Sequence, residues 1–157
     1  MPGLIRIALL ATAVVLAVAL GACGAEDNAA KNDYVKQVNA AQTQFAGAVT
    51  KVREGITETS SAKQDRRALD AFTTTVDELV VSLRAMKVPE EVCKEHDRLV
   101  TALAGHREEV AAITKRMRAP TTRVLDEVQR QLSAATITVN ARLGAATDAI
   151  NTKLRAK

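Results

Sequence analysis

Four side chains in this 157-residue chain carry soft or titratable donors suited to chemistry: Cys23, Cys93, His96 and His106. Thiolate and imidazole are the ligands that transition metals such as zinc prefer. Cys93 and His96 stand three residues apart, which on a helix places them on one face. His106 follows His96 by ten residues, about 15 Å along a helix axis, so the two imidazoles cannot share one ion from the same helix. Zinc takes three or four ligands. Further donors would come from a facing segment, where Asp126, Glu127 and Asp148 lack the Glu-x-x-His repeat of di-iron bundles. Cys93, His96 and His106 are therefore weak metal candidates. Both histidines equally suit the edge of a core, hydrogen-bonded there. Cys93 equally suits a small, half-buried apolar position. No C-x-x-C-H is present, which excludes covalently attached c-type heme. Serine nucleophile elbows, glycine-rich phosphate loops and H-E-x-x-H are absent too. No catalytic residue, no enzymatic activity and no cofactor is expected.

Cys23 has a different setting. One positive charge, Arg6, precedes an apolar stretch over residues 7–20, and the small residues Gly21 and Ala22 follow. A positive start, a short apolar middle and small residues at a cleavage point define a secretory signal, and the stretch is shorter than the roughly 20 residues of a spanning helix. Leu20-Gly21-Ala22-Cys23 resembles a lipobox, the processing signal of bacterial lipoprotein precursors. The resemblance covers about the first 23 residues. It implies export, cleavage before Cys23, and a diacylglyceryl thioether on the Cys23 sulfur. The palmitate-type anchor would hold the protein on the extracytoplasmic face of the cell membrane. Two acyl chains or more give stable anchoring where one is marginal. A thioether would also leave Cys93 without an intramolecular partner.

Residues 1–22 thus read as a cleaved signal peptide, 23–31 as the lipidated cysteine and a tether, and 32–157 as one domain. The formal charge of +4 is small and interspersed with acids, so nucleic acid is not an expected partner. Only Tyr34, Phe45 and Phe72 are aromatic. The core must come from Leu, Val, Ile and many Ala, and Ala-rich faces let helices approach closely or leave an apolar gap.

Four amphipathic stretches follow the tether, at about 33–57, 62–87, 89–118 and 122–155. Each carries apolar residues at alternating gaps of three and four, the helical rhythm. Examples are Tyr34, Val38, Ala41, Phe45, Val49, Val52 and Ile56, and later Leu125, Val128, Leu132, Ala135 and Val139. Ser61-Ala62-Lys63-Gln64 matches a capping box at a helix start. Pro89 suits a first turn, and Gly55 could end the first helix early. Gly105 and Gly144 are weak points within helices. Short connections favour antiparallel neighbours, so the expected fold is all-α, an up-down-up-down four-helix bundle. In that arrangement Arg84, Lys87, Lys153, Arg155 and Lys157 would lie near the lipid and add weakly to anchoring.

Two functions fit. The first is a membrane-anchored, non-enzymatic interaction module for an envelope protein or for self-association, with Val80 and Ile137 off the main stripes as a second face. The second is a carrier of a lipid, heme or metal between the helices, with His96 or His106 holding a polar head.

Overall fold

The computed structural model describes residues 25–57, 59–117 and 122–155, with the side chains of residues 25–28, 122–126 and 129 outside that description. The signal segment, Cys23 and Lys157 also lie outside it. The described chain is all-α, with four helices and no strand among the described residues. The helices are α1 (Ala25–Gly55), α2 (Ala62–Arg84), α3 (Cys93–Arg116) and α4 (Thr122–Arg155), with a 3-10 turn at Glu90–Val92 before α3.

The expected stripes are the buried faces. Tyr34, Val38, Ala41 and Val52 of α1 meet Leu69, Phe72, Val76, Leu79 and Leu83 of α2 in one core. Leu99, Leu103, Val110 and Ile113 of α3 and Val128, Leu132, Ile150 and Leu154 of α4 complete it. Each Leu or Val removed from water in this way contributes about 1.5–3 kcal/mol.

Local chemistry fixes the ends. The Ser61 hydroxyl accepts from the Gln64 amide at 3.4 Å, and the Ser61 amide donates to Gln64 Oε1 at 2.8 Å. Both free amides at the start of α2 are thereby occupied. Gly55 does end α1, and a Cβ there would lie 3.2 Å from the Ala68 Cβ, so glycine permits the close approach of α1 to α2. Gly105 and Gly144 interrupt neither α3 nor α4. Pro89 stands one residue before the 3-10 turn, and its carbonyl accepts from the Val92 amide at 3.0 Å.

The first helix starts earlier than expected. Helix α1 begins at Ala25 rather than near residue 33, so residues 25–31 are already helical. Lys31 is buried and its ammonium lies 2.6 Å from Glu91 Oε1. The aliphatic stem of lysine tolerates burial when its charge finds a partner.

Cross-helix pairs give the helix directions. Asp77 bonds Arg107 and the Leu83 carbonyl meets His96, so contacts run in opposite order along α2 and α3. The same holds for α3 and α4, through Lys153 with Glu95 and Arg116 with Gln131. Lys31–Glu91 and Lys153–Glu95 gather the start of α1, the start of α3 and the end of α4 at one end. Lys153 is therefore engaged with a buried carboxylate, which weakens the expectation that it serves a membrane surface.

Glu95 is buried, with Lys153 at 2.9 Å and Arg98 at 3.9 Å. The Lys153 ammonium beside Glu95 Oε2 leads the effects that hold its carboxyl below the usual glutamate range. A Lys153→Met variant should lose stability at neutral pH, because it leaves a buried charge with only the longer Arg98 contact. A carboxylate with a depressed folded pKa stabilises above its unfolded pKa and loses that contribution as pH falls. The deficit of the variant should therefore shrink on acidification, as urea titrations at several pH values would show.

Gly47 sits mid-helix on the exposed side of α1, and a Cβ there meets nothing within 4 Å. Gly47→Ala should raise stability by up to about 1 kcal/mol by restricting the unfolded chain. Thermal denaturation checks it.

Candidate binding site

Helix α1 packs on α2, α2 on α3, and α3 on α4, while α1 and α4 meet sparsely. Along that seam an apolar slot opens into the core, with a cavity volume of about 110 Å³. Its α1 wall runs from Val38 to Ile56 and includes Phe45 and Ala46. Eighteen residue steps at a helical rise of 1.5 Å make that wall about 27 Å long. The α4 wall runs from Leu132 to Thr147, fifteen residue steps or about 22 Å. A modest volume spread over such lengths is a narrow channel.

The seam stays open because its residues are small. Ala46 and Gly144 flank it, and a Cβ built on Gly144 meets nothing within 4 Å. The polar lining is neutral: Gln42, Thr136, Asn140 and the fully buried Thr147. A direct link spans the seam, from Gln42 Nε2 to Thr147 Oγ1 at 3.1 Å. Among the described residues no Asp, Glu, Lys or Arg lines the slot.

The three aromatic residues pair with the two histidines. Tyr34 packs on His96, with ring centroids 5.8 Å apart. The Tyr34 hydroxyl lies 3.2 Å from His96 Nδ1, and His96 Nε2 lies 3.0 Å from the Leu83 carbonyl. Since that carbonyl can only accept, Nε2 carries the proton and Nδ1 accepts from the tyrosine. Burial, with smaller contributions from the nearby Cys93 and Glu95 charges, pushes the Tyr34 hydroxyl pKa up, so it stays a donor. His96 is thus a saturated structural bridge between α1, α2 and α3, and it does not line the slot.

His106 has the opposite setting. Phe72 and Phe45 pack nearly edge-on against it, with centroids at 5.7 and 6.4 Å. Only 5 % of the residue is exposed, and its Nδ1 has no hydrogen-bond partner. It lines the slot. Burial pushes its imidazole pKa down to about 4, so the ring is neutral at physiological pH.

The chain matches no family model, no curated protein and no solved structure. Its function has to be argued from its own side chains.

The sequence-level metal candidates do not converge. Cys93 is exposed rather than half-buried, while both His96 nitrogens are engaged in the core. Among the described residues no three His, Cys, Asp or Glu side chains cluster as a metal would require. Glu127 pairs with Arg130 and Asp148 is exposed. The side chain of Asp126 lies outside those described. The second face expected around Val80 and Ile137 also divides: Val80 belongs to the core, and the exposed large apolar residues are Val81 and Ile137. No described helix is long and apolar enough to cross a membrane.

Proposed function

We propose that this chain is an exported lipoprotein, anchored through lipid on Cys23, whose helical domain works by binding and takes an elongated apolar molecule into the α1–α4 slot. The observation that carries the binding reading is the slot itself, an uncharged apolar channel beside a seam of small residues. Concave, mostly apolar sites with a few convergent polar groups are where small ligands bind. Catalysis has less support, because among the described residues no nucleophile–base pair and no charged group faces the slot. A metal cargo has less support for a related reason: His106 is the one imidazole, with no thiol or carboxylate beside it in the lining. A docking face for a partner protein rests on Val81 and Ile137 alone, and singly exposed apolar residues are ordinary on any surface.

Two measurements test the reading separately. Palmitate labelling in a lipoprotein-processing host should mark the protein and should miss a Cys23→Ala variant; an unlabelled wild type overturns the anchor. Native mass spectrometry of protein extracted from its own membrane should find a bound apolar molecule that a Gly144→Phe variant lacks. Wild-type protein that carries nothing and gains no mass on incubation with membrane lipids overturns the slot as a binding site.

A further inference from the structure

We propose that the slot selects an uncharged single-chain lipid, its hydrocarbon lying along the α1–α4 seam and its one hydroxyl or carbonyl group hydrogen-bonded to His106. This rests on the slot being a binding site and names what the site prefers.

Length speaks for a chain. The slot walls of about 22 to 27 Å exceed the roughly 15 Å that one acyl chain covers in half of a 30 Å hydrocarbon core. The limited volume spread along them suits one chain better than a fused-ring body.

Charge speaks against an ionised head. A carboxylate or phosphate drawn inside would lose its hydration and meet no cation among the described residues, none of which is a Lys or Arg in the slot lining. A neutral group avoids that cost. Gln42, Thr136, Asn140 and Thr147 add only neutral dipoles.

His106 speaks for one polar group inside the channel rather than at its mouth. On α3 the lining runs from Leu99 to Val110, and His106 falls between those ends. Its Nδ1 is unpartnered and its ring neighbours are Phe45 and Phe72, whose side chains offer no conventional hydrogen-bonding group. A buried polar atom without a partner is costly, so a ligand that supplies one gains over a ligand that does not. The neutral ring offers either a donor or an acceptor at Nδ1, depending on tautomer. A hydroxyl fits both, and a carbonyl fits the Nδ1–H form.

The test uses full-length protein held in amphipol, so that no detergent competes for the slot. It is mixed with phosphatidylcholine vesicles carrying trace tritiated cetyl alcohol, hexadecane or palmitate at a mildly alkaline pH that keeps palmitate ionised. After flotation, label that stays with the protein is counted. Wild type should retain cetyl alcohol about tenfold better than hexadecane or palmitate, the worth of one buried hydrogen bond. His106→Leu should erase that preference and leave hexadecane uptake unchanged. Gly144→Phe, or Ala46→Leu from the opposite wall, should abolish uptake of all three while keeping a cooperative melt. Equal uptake of the three probes by wild type, or an unchanged preference in His106→Leu, overturns the head-group assignment and leaves the slot as a binding site. No uptake of any probe overturns both.

Discussion

His96→Leu should lower the unfolding free energy by about 2–4 kcal/mol, among the largest losses available to a single core substitution in this chain. The imidazole ties three helices through two bonds, to the Tyr34 hydroxyl of α1 and to the Leu83 carbonyl near the end of α2. The carbonyl keeps a second donor, the Met86 amide at 3.1 Å, so its loss is partial. Tyr34 is fully buried, and the structure shows no other partner for its hydroxyl. Leucine in place of His96 leaves that hydroxyl unsatisfied among apolar neighbours, which carries most of the cost. A double-mutant cycle isolates the effect. Tyr34→Phe alone removes one hydrogen bond and leaves His96 Nδ1 bare. Tyr34→Phe with His96→Leu removes both partners, so the pair should cost clearly less than the sum of the single losses. Urea denaturation with unchanged slope and a shifted midpoint gives the readout. Additive losses would show that the tyrosine and the histidine stabilise the bundle independently.

The contrast between the two histidines marks the limit of what the sequence alone discloses. His96 and His106 sit on the same stripe of the same helix, in the same three-and-four rhythm. Periodicity puts both inward, and both are inward. What periodicity lacks is the partner. Tyr34 lies 62 residues away from His96, and only packing brings the two together. The four stripes, the capping box at Ser61 and Gln64, and the extent of α4 were legible because each has a local cause. The start of α1 was missed because small polar residues after Cys23 read as a linker. Ala25, Glu26, Ala29, Ala30 and Lys31 are nonetheless good helix formers, and Glu26 and Asp27 suit the positive end of a helix. That signal was present and outweighed by the expectation of a tether. The partner of Lys31, Glu91, lies sixty residues downstream and gave no local sign. The gap was half legible: Ala-rich faces announce loose packing, but which seam stays open depends on the small residues Ala46 of α1 and Gly144 of α4, both in its lining.

His106→Leu should move stability in the opposite direction from His96→Leu, and its effect should depend on pH. At neutral pH the leucine removes an unpartnered buried nitrogen and keeps similar bulk between Phe45 and Phe72, so the variant should be at least as stable as wild type. In acid the difference grows. The unfolded chain protonates this histidine near its ordinary pKa of 6.5, while the folded chain resists until about 4. Between those values the unfolded state binds more protons, so wild-type stability falls as pH falls. The loss is complete at the lower end of the window and amounts to about 3 kcal/mol. No charged side chain in the slot lining offsets it. The variant has no such group and should stay nearly flat across the window. Glu95, held low by Lys153, adds its own loss only at the acid end, in the glutamate range, so the upper part of the window belongs to His106. Unfolding in urea at pH values between 4 and 6.5 measures both chains. Parallel curves would mean that the imidazole is not held neutral in the core. A residue whose removal strengthens the empty fold, broadens its acid tolerance and weakens its hold on a hydroxylated chain is doing something other than packing. That combination of signs separates a ligand contact at His106 from a structural one, which would lose stability and binding together.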